Sequence, residues 1–515
     1  MNQTHIEHTP TEGRAGGGAP PGPVALGAAR TDAGNADRLA LRAEGRILWV
    51  FGHGWLVWDG RRWGRDEVKA VTRTAIETAR AIHAEAAALN LEASRATQDS
   101  EGERWAKAAK DTTSWAIQSE ARARIDAMVA LGAAQPRLAL EGGAGALDAE
   151  PDALNVANGI LDLTRFELRP HDPAAHHTKI TGAEFMQGAR SELWERFLES
   201  VIPSPEVRHW VQKAAGSALR GRYSEDLFIP WGSGKNGKST FLRAIRNALG
   251  DYAMEAAPEL LIRGRGKRSA GDNSAMADLR GRRFVTTIET GEGASLDEVF
   301  VKQLTGESVM KAKFMRQDWF EFENQSSIWL ATNHKPRIHG ADVAIWERLH
   351  LIPFDVFISP DRRDPELGAK LESPEHSAAI LRWLVQGLAD FDAEGLKPAP
   401  HEVADATATY REEMDPLAGW LESRVEVGDE ETAPVAWVAS SYRDYCRETG
   451  EPALSPRELN SSLEGRGFSR PGTARRSYGK PRKVWEGLRL ANDWQFEWAE
   501  KHTTVVEDDL PADER

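Results

Sequence analysis

The stretch Asp226–Gly250, DLFIPWGSGKNGKSTFLRAIRNALG, decides how the rest of the chain is read. Its opening, DLFIPW, is a short apolar run that ends in a glycine loop, the pattern of a buried strand. Its end, STFLRAIRNALG, spaces its apolar residues helically and stops at Gly250, which predicts a helix. Between them, Gly232 to Ser239 match G-x-x-x-x-G-K-[ST] in the strand–loop–helix setting that the motif needs. Glycines at 232, 234 and 237 let backbone N–H groups curl around phosphate oxygens where a side chain would obstruct. The helix that follows points its positive dipole end at the same place. Lys238 is expected to supply a cation to the outer phosphates of ATP and Ser239 a hydroxyl to Mg²⁺, with Asn236 and Thr240 completing the loop. A loop of this kind specifies nucleotide binding, not a reaction.

The flanking sequence supplies partners for such a loop. RRFVTTIE, SSIWLATN and HLIPF read as further buried strands separated by helical segments, so residues 190–360 predict an α/β domain with a largely parallel sheet. A phosphate loop needs a carboxylate at the end of a neighbouring strand to hold the metal and activate water. Glu289 closes RRFVTTIE and is the candidate, with Glu292 close behind. Asn333 closes SSIWLATN, where an amide can orient that water. Arg348 precedes the last strand, and an arginine there can reach a neighbouring subunit's phosphate and stabilise transition-state charge.

The ends of the chain differ from this centre. Residues 11–30 contain 14 Gly, Pro or Ala, too little apolar surface to offset the entropy of ordering. Residues 1–45 are therefore expected to form a disordered tail. A small strand pair is expected in ILWVFGHGWLVWDGRRW, and helices over 66–95 and 103–131. In LNVANGILDLTRFELRPHDP the Asn158-Gly159 pair signals a hairpin turn. One helix is expected over 376–393 and another over 402–424. SPRELNSSLEGRGF predicts a capped helix, and RPGTARRSYGKPRK, with six Lys or Arg and no acid, predicts a basic hairpin before the strand VWEGLRL. Helix, basic hairpin and strand together suggest a winged helix. Its cations Arg475, Arg476, Lys480, Arg482 and Lys483 would touch phosphates, positioning DNA without reading its sequence.

The composition sets limits on function. The 515 residues are 41% hydrophobic and 28% charged, with 65 Lys or Arg against 79 Asp or Glu, a formal charge of −14. That balance argues against nucleic acid coating the whole surface and confines it to local basic patches. The one cysteine, Cys446, excludes a disulfide framework and a cysteine-cluster zinc site. Neither an apolar run long enough for a bilayer nor an apolar signal core is found, so no membrane partner is expected. The histidines at 171, 176 and 177 lack ligand spacing and read as turn residues. The Asp390/Asp392 pair closes a helix and does not resemble a polymerase acid pair.

Taken together, these residues resemble a superfamily 3 helicase, and more closely the phage/plasmid primase–helicase family related to the poxvirus primase-helicase. The resemblance runs from about Trp55 to Trp485. LNVANGILDLTRFELRPHDP, GSGKNGKST, FVKQLTGESVMKAKFM and LATNHKPRIHGADVAIWERLHLIPF carry it. It implies an AAA+-like core over 191–400, behind a mainly helical domain over 46–190. A helical linker and winged helix over 401–500 and a frayed acidic tail over 501–515 would follow. It assigns Lys238 and Ser239 to phosphate and metal, Glu289 to the catalytic acid, Asn333 to a sensor and Arg348 to an arginine finger. The segment between acid and asparagine would give a hairpin lining a hexamer's pore, bringing Lys302, Lys311, Lys313 and Arg316 to single-stranded DNA. Two departures stand out. Glu347 occupies a position where members often have a second arginine, and Glu289 has no paired acid beside it.

The expectation is an ATP-dependent DNA helicase of phage or plasmid replication. It would work as a homo-hexamer in the cytoplasm of a bacterial host, on single-stranded or forked DNA, with a separate primase or other replication proteins. Little room remains before residue 190 for a primase–polymerase domain. Two other readings stay open. One is a phosphate-loop NTPase of another class, such as a DNA packaging or remodelling motor. The other is an origin-binding scaffold that ATP switches without unwinding.

Overall fold

Strand SIWLAT is buried at every residue from Ser327 to Thr332, which only a strand covered on both faces and paired on both edges can be. In the computed structural model it pairs in parallel with Leu227–Trp231 on one side and with Phe284–Glu289 on the other. Leu349–Pro353 lies beyond Leu227–Trp231, and Ala253–Ala256 beyond Phe284–Glu289, giving one five-stranded parallel sheet. The structure describes residues 28–263, 274–289, 291, 293–313, 319–338, 343–450, 453–470, 475–477 and 480–491.

Alternation along the strands sorts the two faces. Phe228, Phe284 and Trp329 point to one, where Trp329 stacks on Phe228 with ring centroids 4.6 Å apart and meets Phe284 at 5.4 Å. Trp210, from the helix Pro205–Ser217, and Phe241, from the helix Lys238–Leu249, cover this aromatic layer. Leu227, Ile229, Val285, Ile328, Leu330, Leu349 and Leu351 point to the other face and join Met276, Phe300 and Leu304 in an aliphatic core. The expected α/β domain with a parallel sheet is thus observed. Between the acid strand and the asparagine strand, the helix Glu298–Gly306 leads into an antiparallel hairpin, Val309–Ala312 with Phe320–Glu323.

By its contacts the chain divides into two units: residues 1–162 with 167–180, and residues 163–166 with 181–515. The first holds helices Asp32–Ala43, Ala70–Arg95, Asp99–Ser119 and Arg122–Gly132, and two three-stranded antiparallel sheets. It corrects the reading of residues 1–45 as a tail. Thr31 caps a helix over Asp32–Ala43, in which Ala36, Leu39, Ala40 and Ala43 are buried at helical spacing. Arg38 forms a bidentate pair with Glu85, at 2.9 Å from Nε to Oε1 and 2.8 Å from Nη2 to Oε2, with both side chains buried. Asn35 donates to Ser119 and accepts from the Trp115 indole. All these partners lie far away in sequence, so composition alone could not reveal the helix. Residues 1–27 lie outside the described residues.

Three smaller differences have local causes. The segment 47–65 forms three strands, not two. The hairpin near Asn158 turns one residue earlier than expected, because Val156 pairs with Gly159 and leaves Ala157-Asn158 as the turn. The expected helix 402–424 is two, His401–Glu413 and Ala418–Arg424, broken at Asp415-Pro416, where proline's missing N–H and its ring stop a helix.

After that break, strand Val425–Pro434 pairs antiparallel with Val484–Leu490. Helices Val435–Thr449 and Pro456–Glu464 lie between them in sequence, packed around Trp420, Tyr442 and Trp485. Ser455 and Glu458 form the expected cap as a reciprocal box. The basic segment forms a short hairpin, Arg475–Ser477 with Lys480–Arg482. Among the described residues, no helix is long and apolar enough to cross a membrane.

Candidate nucleotide-binding site

Parallel pairing brings three chain ends to one edge of the sheet. Thr332 pairs with Trp231 on one side and with Glu289 on the other, so all three residues lie level across adjacent strands. The phosphate loop, Asn333 and the end of the acid strand therefore lie side by side at the carboxyl ends of the strands, where open α/β sheets bind ligands.

The loop is shaped by positive φ angles and close contacts. Gly234, Lys235 and Gly237 have φ of 92°, 53° and 87°. At Gly232 a Cβ would lie 2.3 Å from the Phe354 carbonyl oxygen and 2.2 Å from Asn236 Nδ2; at Gly237 it would lie 2.5 Å from Val201 Cγ1. Both positions exclude a side chain. Asn236 is buried and donates from Nδ2 to Phe354 O at 2.7 Å, tying the loop to the residue after the neighbouring strand. Gly237 caps the helix Lys238–Leu249. Ser239 in its first turn is exposed and Thr240 half-buried.

Lys238 is 5% exposed. Its Nζ donates to Gly232 O at 2.8 Å, Asn236 Oδ1 at 2.9 Å and Asn333 Oδ1 at 3.1 Å. The structure thus joins two sequence-predicted residues, Lys238 and Asn333, by a direct hydrogen bond. All three acceptors are neutral, and among the described groups no carboxylate balances the ammonium. Burial accordingly pushes the Lys238 ammonium down to about 8. A buried cation whose described partners are all neutral, at the mouth of a loop closed to side chains at Gly232 and Gly237, suits an anionic ligand. The backbone of Glu289 ends the acid strand beside Thr332; Glu292 lies outside the described residues.

Arg348 sits at the opposite end of the sheet. It precedes Leu349, which pairs with Leu227, whereas Trp231 beside the loop pairs with Pro353. Five strand steps separate the two levels, roughly 16 Å. Arg348 donates instead to the backbone oxygen of Thr305, and at 3.1 Å to Thr305 Oγ1.

The other candidates fall in two places. Lys302 lies on the helix Glu298–Gly306, and Lys311 is exposed on the hairpin, 3.9 Å from Glu321. Lys313 places its ammonium 5.1 Å from the ring of Trp319, which is 46% exposed. Arg316 lies outside the described residues. The backbone puts Arg475, Arg476, Lys480 and Arg482 on the carboxyl-terminal hairpin, with half-buried Lys483 just after it.

Sequence reasoning missed Lys335. It lies 4.6 Å over the Trp231 ring and 2.6 Å from Glu413, bracing the segment after Asn333 against the strand that leads into the loop. Only its place two residues after Asn333 hinted at this; its partners lie some 80 to 100 positions away.

The D5 N terminal like family matches residues 36–203. Among curated proteins, "Putative helicase 022R" of Frog virus 3 (isolate Goorha) is 24% identical over 316 residues, 58% of this chain and 31% of that protein. "Uncoating factor OPG117" of Vaccinia virus (strain Western Reserve) is 24% identical over 293 residues, 50% of this chain and 37% of that protein. "Primase D5" of Fowlpox virus (strain NVSL) is 21% identical over 289 residues, 50% and 36%. The chain spans about a third of the length of these relatives. The apo C-terminal region of NrS-1 aligns over 59% of this chain and 76% of that chain at 10% identity and a TM-score of 0.38. By its D5 N-terminal-like segment and these helicase- and primase-named relatives, the chain is similar to the primase-helicase family related to the poxvirus D5 proteins.

Proposed function

We propose that this chain is the motor of a superfamily 3 DNA helicase serving phage or plasmid replication, hydrolysing ATP between subunits of a ring, six in the expected form. One observation carries the reading: the buried ammonium of Lys238, whose partners among the described residues are all neutral, bonded to Asn333 at the mouth of a loop with no room for side chains at Gly232 and Gly237. Gly232, Gly234, Asn236, Gly237, Lys238, Ser239 and Thr240 would hold the phosphates of ATP, and Ser239 with Glu289 would hold Mg²⁺. The metal would draw charge from the phosphate oxygens. Glu289 accepts a proton from the attacking water, and Asn333 holds that water once Lys238 has turned to the phosphates. Asn236, fixed by Phe354, keeps the loop in shape throughout.

Arg348 stands too far from its own loop to serve it, which favours action on an adjoining subunit's nucleotide. Lys302, Lys311, Lys313 and Arg316 would contact single-stranded DNA through the hairpin. The carboxyl-terminal helices and basic hairpin would form a winged helix that holds forked DNA through Arg475, Arg476, Lys480, Arg482 and Lys483. Such contacts are salt-dependent.

ATP hydrolysis measured with and without single-stranded DNA, alongside solution mass and strand displacement on a fork, tests the reading. DNA-stimulated hydrolysis, a ring-sized species and unwinding are expected, and Lys238→Ala abolishes all turnover. Hydrolysis without unwinding points to another class of motor. ATP binding with no steady hydrolysis points to a switched scaffold.

A further inference from the structure

The carboxyl end of the helix Glu298–Gly306 is gripped from two directions. Its last carbonyls have no partner within the helix, so any donor that reaches them acts as a clamp. Arg348 supplies one, on the backbone oxygen and hydroxyl of Thr305. Asn324, the first residue after the hairpin strand Phe320–Glu323, supplies the other. Its Nδ2 donates to Leu304 O at 2.7 Å and to Glu307 O at 3.3 Å. Its backbone N–H donates to Ser308 O at 2.8 Å, closing the base of the hairpin. Its Oδ1 accepts from Ser326 N at 3.1 Å, at the entry to the strand that ends beside Asn333. Asn324 and Thr305 are 3% and 1% exposed.

We infer that this shared cap couples Arg348 to the DNA-facing hairpin, with Asn324 as the positioning residue. The inference deepens the proposed function and rests on its reading of Arg348 and the hairpin. While Arg348 is parked on Thr305, both clamps hold the helix end and the Glu307–Ser308 link into the hairpin. When Arg348 leaves for an adjoining subunit's nucleotide, Asn324 is the one side chain among the described residues that still grips those carbonyls. The hairpin base then follows the helix end through Asn324, and so does the strand carrying Asn333. DNA on the hairpin and the arginine at the subunit edge thereby sense each other through buried hydrogen bonds. Thr305 sets how firmly Arg348 is parked, since its hydroxyl accepts from Arg348 and donates to Val301 O at 2.7 Å.

The test uses the full chain, ATP with Mg²⁺, and an oligothymidylate strand. Asn324→Asp keeps the acceptor for Ser326 but loses both side-chain donors. It should hold the DNA-free ATPase rate within about two-fold of the unmodified chain while the stimulation ratio falls about five-fold or more, since the loss of even one of its two ordinary hydrogen bonds from the coupling has about that effect. Thr305→Val weakens the parking and should raise the DNA-free rate about two- to five-fold, whereas Thr305→Ser should leave it unchanged. Thr305→Val reads the coupling from the Arg348 side, so it decides the matter if Asn324→Asp does not fold. The coupling is overturned if the unmodified chain is stimulated by DNA and both variants keep its rates and ratio. It is also overturned if both rates fall in equal proportion. If DNA does not stimulate the unmodified chain, the proposed function itself fails, and the coupling with it.

Discussion

Raising the pH should weaken nucleotide binding well before an ordinary lysine would lose its proton. The Lys238 ammonium is pushed down to about 8 by burial among neutral oxygens, from an ordinary 10.5. Only the protonated form can pair with phosphate, and pairing raises its affinity for the proton. With a value of 8, the protonated fraction falls from about 0.76 at pH 7.5 to about 0.09 at pH 9, an affinity loss of about eight-fold or 1.3 kcal/mol. With the ordinary value the loss would be about 3%. The assay is a calorimetric titration of a non-hydrolysable ATP analogue with excess Mg²⁺ at constant ionic strength, from pH 7.5 to 9. The Lys238→Met chain supplies the pH-flat baseline. Proton uptake on binding near pH 8, read from buffers of different ionisation heat, gives a second readout. A change of less than about two-fold across this range would refute the argument from burial. Stability carries the opposite sign. The folded value lies below the unfolded one, so from pH 8 to 10.5 the unfolded chain binds more protons and the nucleotide-free fold gains stability as pH rises. Below pH 8 the cost of the buried charge is present in full.

Arg348→Ala should keep ATP affinity and lose turnover by about 10³-fold or more. Mixing it with Lys238→Ala chains should restore hydrolysis in single-turnover assays, because each supplies what the other lacks; no recovery would count against action between subunits. Gly237→Ala should cost about 2–5 kcal/mol in urea unfolding, combining a left-handed φ with a Cβ driven into Val201. A loss under about 1 kcal/mol would show that the loop relaxes freely. Arg38→Ala should cost about 3–5 kcal/mol by stranding Glu85 in the interior, and an unchanged unfolding curve would contradict the packing of helix Asp32–Ala43.

The legible parts of this protein were those whose physics is local. A glycine loop between an apolar run and a helical repeat announces itself within twenty-five residues. Buried parallel strands announce themselves by unbroken apolar runs, as Leu227–Trp231 and Ile328–Ala331 do. The reciprocal cap at Ser455 and Glu458 needs only four residues. The helix Asp32–Ala43 was not legible, because its reasons for folding are Glu85, Trp115 and Ser119, and a Gly- and Ala-rich approach hid it. Lys335 was missed for the same cause.

What the sequence determined by itself was the phosphate loop, the α/β class and a short list of polar strand ends, since spacing and periodicity are properties of neighbours in the chain. Only tertiary structure decided which strand ends meet. Parallel register sets Trp231, Thr332 and Glu289 level, so Lys238 touches Asn333, and the same register carries Arg348 to the far edge against Thr305. Strand order is set by how side chains fill the two faces of the sheet, and no stretch of residues read alone contains that information.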